Sequence, residues 1–348
     1  MGHEITQYDN VVLRKERAWH GLGTVIEDDI TAVDACDEYG LGWDVVSWPV
    51  YMRDPETGSY HEIGGQRANV RKIVTPEGDI PTSLGIVTKS YEIYQNRDLA
   101  EFVDALSSTG NVVLETAGTI RGGRRVWFLV RSDSYQIGDD KSYSYLLASN
   151  AHDGSGSLRL DPTDIRVVCA NTLRMVVPDQ VDGRMDLVPA AITVRHSSSL
   201  QDRLEQARLA LRDFATIKQR HRELVERLAE KRINRRQAVE FFAEQYVGEF
   251  LVPEEAETAK IQERREHRRS KAAAAFLSRY DAECAKFGGE SAWLALNAWT
   301  GYVQHDLTSR GKEDKSRVDN RINSTLFGVN AKRSSSAVVD AVAMFLAT

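Results

Sequence analysis

The chain has 348 residues, 42% of them hydrophobic and 28% charged, and a formal net charge of −6. That length buries a sizeable core and suits two domains, and the balance excludes a disordered or fibrous chain. No apolar run approaches the roughly 20 residues of a membrane-spanning helix, and three scattered cysteines, Cys36, Cys169 and Cys284, exclude a disulfide framework and a cysteine-rich metal centre.

Such cysteine usage points to a reducing compartment. The polar stretch MGHEITQYDNVVLRKER lacks the apolar segment of a secretory signal, so a cytoplasmic protein with no membrane partner is expected. The charge is uneven: residues 1–200 hold 19 Lys and Arg against 29 Asp and Glu, and residues 201–348 hold 26 against 22. An acidic front and a mildly basic back hint at a nucleic-acid partner.

Residues 1–196 read as strand-rich. Runs of β-branched and aromatic residues at 43–52, 68–74 and 84–91 are separated by turn residues. A helix opens at Asn96, read as its N-cap, with Leu99, Phe102, Val103 and Leu106 on one apolar face. A hairpin spans 112–132 around Arg121-Gly122-Gly123-Arg124, where the glycines supply the positive φ of a tight turn. Strands follow at 143–149, 165–169 and 185–196. Hairpins dominate and no β-α-β rhythm appears, so the fold class is α+β: a mainly antiparallel sheet with packed helix, then a helical region.

From residue 197 the period changes to spacings of three and four. Leu200, Leu204, Ala207, Leu211, Phe214, Ile217, His221, Leu224 and Leu228 mark one face of a long, coiled-coil-like helix. Asn234 caps a second helix that Pro253 ends. A charged third helix runs from about Glu254 to Cys284, a fourth follows Ser291, and Ser334 caps a last one. Residues 309–320 read as a polar loop. The expected domains are therefore 1–196 and 197–348.

Several motifs carry chemistry-bearing residues. In AWHGLG (18–23), His20 has no second histidine at helical spacing and reads as part of an aromatic anchor. HDGSG (152–156) follows a strand, and its backbone N–H groups could form an anion nest with Arg159 and Arg166 nearby. The alternative is a turn in which Asp153-Gly154 simply reverses the chain, and turn chemistry alone explains the glycines. It is no P-loop, since no Gly-Lys-Ser/Thr follows.

In VVCANTLR (167–174), Cys169 with His152 and Asn171 imitates a nucleophile arrangement, but two β-branched residues before the cysteine point it towards a core. Asn171 could instead contact a sugar-phosphate backbone. RGGRR (121–125) puts three arginines on a hairpin tip, with Trp127 and Phe128 on opposite strand faces. One of that pair could stack on a base while the other joins the core. KRINRR (231–236) and RREHRR (264–269) are helical basic clusters that suit phosphate binding or a solvated face with glutamate partners.

WHGLG, VTKSYEIYQNRDLAEFVDAL, ETAGTIRGGRRVWFLV, YLLASNAHDGSGS, RVVCANTL and TVRHSSSLQDRLEQAR together resemble the phage- and plasmid-borne protein family of unknown function. That resemblance implies a mobile-element origin and work in the host bacterial cytoplasm, and supplies no activity. The architecture is also similar to phage single-strand annealing proteins, which lack ATP motifs as this chain does.

The function expected is a nucleic-acid-binding protein, for single strands and their annealing in recombination, without ATP, cofactor or metal, and acting as a homo-oligomer. Its contact residues are expected to be Arg121, Arg124, Arg125, His152, Asp153, Arg159, Arg166, Asn171, Arg174, Arg195 and His196. Two alternatives stand beside it. One is an enzyme for a phosphate-bearing substrate, with His152 as acid–base group, Asp153 orienting it and Arg166 as an anion clamp. The other is an interaction protein directed at a host factor.

Overall fold

The computed structural model describes residues 10–14, 24–109, 112–137, 140–156, 158–166, 172–174, 178–181, 184–187, 192–193, 200–247, 259–307, 324 and 329–347. Among these, the front half is built on one large sheet. Its strands are β1 (Val11–Arg14), β2 (Thr24–Ile26), β6 (Val113–Ile120), β7 (Arg125–Ile137), β8 (Asp140–Ala151), β9 (Arg159–Arg166), β10 (Thr172–Arg174) and β13 (Ile192–Thr193). The order is β10-β9-β8-β7-β6-β1-β2, with β13 also paired to β9. All pairs are antiparallel except β1 with β2.

A separate three-stranded sheet holds β3 (Val46–Arg53), β4 (Tyr60–Thr75) and β5 (Gly78–Thr88) in that order. β11 (Pro178–Val181) and β12 (Arg184–Leu187) form a further hairpin. The fold class is thus the α+β arrangement that the alternation of short strands predicts.

The hairpin turn is well specified. Arg121, Gly122 and Gly123 take φ of 58°, 68° and 87° in succession. Beyond β7, alternation divides the sheet into two faces. Val126, Phe128, Val130, Leu146 and Ala148 join the main core, while Trp127, Leu129, Tyr145 and Leu147 form a smaller cluster on the other face with Val11, Leu13 and Ile120. Trp127 and Phe128 are therefore both buried, which corrects the expectation of a base-stacking aromatic at this strand.

Two helices cover the main face. The first, α1 (Ala32–Glu38), was not legible as a helix; a capping box between Thr31 and Asp34 starts it. The second, α2 (Asn96–Thr109), buries Leu99, Phe102, Val103 and Leu106 as the periodicity predicts. Asn96 does not cap it: its amide donates to Leu41 O at 2.8 Å and its Oδ1 meets His152 Nε2. The carboxylate of Asp104 in α2 instead accepts Ala32 N–H and Val33 N–H, at 2.7 and 3.0 Å, and so caps α1.

The long α3 (Leu200–Glu230) joins two cores. Ala207, Ala210, Phe214 and Ile217 pack on the sheet cluster, while Leu224, Val225 and Leu228 pack among the C-terminal helices. The change of secondary structure near residue 197 is therefore not a change of core. His221 in α3 places Nε2 2.8 Å from Asp164 Oδ2 in β9. Asp164 also accepts Tyr135 OH at 2.6 Å and Ser144 OH at 3.0 Å.

The C-terminal core gathers α4 (Arg235–Val247), α5 (Ala259–Phe287), α6 (Ala292–Gly301), a π-helical turn (Tyr302–Asp306) and α7 (Val329–Phe345) around Phe242, Phe276, Tyr280 and Trp299. Asn234 caps α4 as expected, accepting Gln237 N–H at 3.0 Å, and Ser291 caps α6. Ser334 does not start the last helix. α7 begins five residues earlier, and Ser334 is buried within it beside Gln304, where its small side chain permits close packing. Among the described residues no helix is long and apolar enough to cross a membrane.

Candidate nucleic-acid interface

Two motifs far apart in sequence meet at one end of the large sheet. β8 runs out into the HDGSG loop beside the turn joining β6 and β7, and His152 N–H donates to Arg124 O at 2.7 Å. Arg125 Nη2 donates to Ser155 Oγ at 3.4 Å. Arg159, at the start of β9, pairs with Asp161. Arg121 and Arg124 are exposed at the tip; Arg125 and Arg159 are half-buried below it. Burial pulls the Arg125 pKa down and Asp153 opposes this, while the fields of Arg121 and Arg159 add to the fall. The cluster is thus one electrostatic unit, cationic on balance.

The glycine loop is already satisfied from within. Asp153 Oδ1 accepts Ser155 N–H at 2.9 Å and Ser155 OH at 2.5 Å. This is an Asx turn, with Gly154 at φ +76°. A carboxylate from the loop itself fills the place where an anion nest would hold phosphate, so the turn reading accounts for the glycines. Phosphate contacts at this end fall to the arginines.

His152 is fully buried. Asn69 Nδ2 donates to its carbonyl at 2.7 Å, and the ring packs edge-on against Trp43 with centroids 5.6 Å apart. Because the Asn96 amide N–H goes to Leu41 O, Asn96 Oδ1 is the acceptor and His152 Nε2–H donates, at 2.7 Å. Burial lowers its pKa from 6.5 to about 4, with Asp153 opposing. The imidazole is neutral and sealed, in the position of a strut. It cannot reach a phosphate on the surface, which corrects its place among the contact residues, and it faces the core and not a cleft, as an acid–base group would not.

The three-stranded sheet holds this end from behind. Asn69, Arg71 and Val87 are buried on its inner side. Gly85 lies so close to the loop that a Cβ there would fall 2.6 Å from Asp153 Cα. A Cβ on Gly123 would meet Arg71 Nη1 and the Trp43 ring at 2.4 and 2.7 Å, and the Arg71 guanidinium lies 4.7 Å over that ring. Sequence reasoning missed Trp43, Asn69 and Arg71. The polar Asn69 and Arg71 inside the run ANVRKIV are the signal that could have marked that pair.

Two of the remaining expected contacts, Arg166 and Arg174, have their backbone away from this sheet end. Arg166 sits at the far end of β9, opposite Ser142, whereas Arg159 is opposite Ser149. Arg174 belongs to β10 opposite Thr163. Only the backbone of these two arginines is described. Asn171, Arg195, His196, Cys169, the AWHGLG stretch and the 309–320 loop lie outside the described residues. Among those described, no group of three or more His, Cys, Asp and Glu is placed to hold a metal ion. A shallow hollow lined by Val12, Arg14, Ile26, Ile30 and residues 114–117 includes nothing from the turn or the loop.

Exposed aromatics occur instead on the three-stranded sheet: Trp48 at 41%, Tyr51 at 53% and Tyr60 at 70% exposure. Trp48, Ala68 and Ile86 form a row across its three strands. The model of a family described as a domain of unknown function, DUF932, matches residues 83–324. The chain belongs to this family. The DUF932 match takes in the arginine turn, the HDGSG loop and helices α3 to α6, and begins within β5, after the strand that carries both Asn69 and Arg71. No curated protein and no solved structure matches the chain.

Proposed function

We propose that this DUF932 protein binds single-stranded nucleic acid and promotes its annealing, without ATP, in the bacterial cytoplasm that hosts a phage or plasmid. One observation carries the reading. The arginines of RGGRR and the arginine following HDGSG converge on one sheet end, with Arg121 and Arg124 at the exposed tip. Guanidinium groups contact phosphate in bidentate geometry and fix a strand without reading its sequence.

Arg121 adds support, because a non-glycine side chain at φ 58° is held in a costly backbone state.

Self-assembly belongs to the same proposal. Val46, Trp48, Met52 and Ile86 leave an apolar surface on the three-stranded sheet. Pro49 on β3 and Pro81 on β5 blunt both of its edges against strand addition. Copies would therefore meet through the face.

The test is the double variant Arg121→Gln/Arg124→Gln in an anisotropy titration with a labelled single strand. Two lost phosphate contacts are expected to lower affinity about tenfold or more at low salt. Unchanged affinity would remove the sheet end as the interface.

A further inference from the structure

The RREHRR cluster has no part in the sheet-end site. It lies in the first half of α5, where residues 262–271 read QERREHRRSK. Every residue in that stretch is exposed except half-buried Arg265, and Ala272 is the first buried one. At 1.5 Å per residue this is roughly 15 Å of helix ahead of its first core contact.

Its charges are segregated around the axis. At 3.6 residues per turn, Arg264, Arg268 and Lys271 fall within about 60° of one another, and Glu263 and Glu266 point to other sides. Arg264 and Arg268 are four apart, and Arg268 and Lys271 three apart. Like charges at those spacings destabilise a helix. Among the described residues, Arg264, Arg268, Arg269 and Lys271 have no carboxylate within ion-pair distance. The segment forms against its own electrostatics, which an anionic partner would relieve.

Composition selects the partner. QERREHRRSK has no aliphatic or aromatic residue. A protein interface needs a buried apolar centre, and a membrane-surface helix needs an apolar face; this segment offers neither. What three aligned cations on an exposed helix can hold is a row of phosphates.

We propose that Arg264, Arg268 and Lys271 form a second nucleic-acid contact, gripping the phosphate backbone irrespective of base sequence. This rests on the nucleic-acid reading above and adds a surface to it.

The experiment compares the full chain with its Arg264→Gln/Arg268→Gln/Lys271→Gln variant, titrated by anisotropy against a labelled single strand over a series of salt concentrations. The variant is expected to bind more weakly, and its plot of log affinity against log salt is expected to be shallower by about 2, at roughly 0.7 per phosphate contact. Arg264→Lys/Arg268→Lys should keep the slope. The melting temperature at low salt should hold or rise, since like-charge neighbours are removed.

If the parent chain binds and the triple variant keeps its affinity and slope, the stripe is not a contact while the sheet-end function stands. A variant that binds normally but changes oligomeric state by light scattering would assign the stripe to a contact between copies, and overturn the proposal. A parent chain that binds no strand at low salt overturns both readings.

Discussion

His152 is tied through its N–H to the arginine turn, through its carbonyl to Asn69 and through its ring to Asn96 and Trp43. Its pKa is lowered by burial from 6.5 to about 4, so above pH 6.5 it is neutral whether folded or unfolded and contributes no pH dependence. As pH falls from 6.5 towards 4, the unfolded chain takes up the proton and the folded chain does not. Stability is then lost, by up to about 3 kcal/mol. Urea denaturation across that window should show the loss in the parent chain, and His152→Gln should remove it. A constant stability difference between the two chains would show that His152 titrates normally. Arg121 makes the opposite kind of prediction. Replacing it with glycine relieves the φ of 58° but frees the unfolded chain, so stability should change by no more than about 1 kcal/mol while strand binding weakens. A large loss of stability in Arg121→Gly would mean that the side chain packs and does not reach outward.

At the scale of elements, the arginine end depends on the three-stranded sheet behind it. Gly85→Ala would put a methyl against the Asp153 backbone, and overpacking of this kind costs about 1–3 kcal/mol. Thermal denaturation should show a lowered melting temperature, and a neutral result would contradict the docking of β5 on the loop. The seat of α3 rests on Asp164, which serves His221, Tyr135 and Ser144 together. Asp164→Ala leaves Tyr135 and Ser144 without their acceptor and removes the carboxylate beside His221, and should cost about 3 kcal/mol, with Asp164→Asn milder. Much of this level was legible in the sequence. Apolar spacing marks α2, α3 and α4, glycines mark the β6–β7 turn, and Asn234 and Ser291 mark helix starts. Other features were not. α1 is two turns long, too short for periodicity to separate it from a loop. Asn96 has the chemistry of a cap but spends it on residues 55 and 56 positions away. Alternation shows that 43–52 and 68–74 are strands but not that they leave the main sheet, because which sheet a strand joins is decided by long-range pairing.

For the whole molecule, two cores share α3, so the sheet half and the helical half should unfold together. Phe214→Ala, which opens the sheet core, should cost about 3–5 kcal/mol and leave a single transition by both fluorescence and circular dichroism. The candidate site was half legible. The arginines, the loop and their basic character stand in the sequence, but their convergence does not. Nor does the burial of His152 and Trp127, because each is set by a neighbour more than thirty positions away, in β4, α2 or β1. The acidic balance of residues 1–200 is likewise no guide to the sheet end, where Arg121, Arg124, Arg125 and Arg159 outnumber Asp153 and Asp161. The most direct measurement is a titration of the full chain against a labelled single-stranded oligonucleotide at salt from about 50 to 200 mM. Counterion release predicts tight binding at the low end and a linear log–log fall, with a slope of about −3 if the proposed arginines each meet a phosphate and four or so are contacted. No binding at the low end, or binding indifferent to salt, would contradict the account.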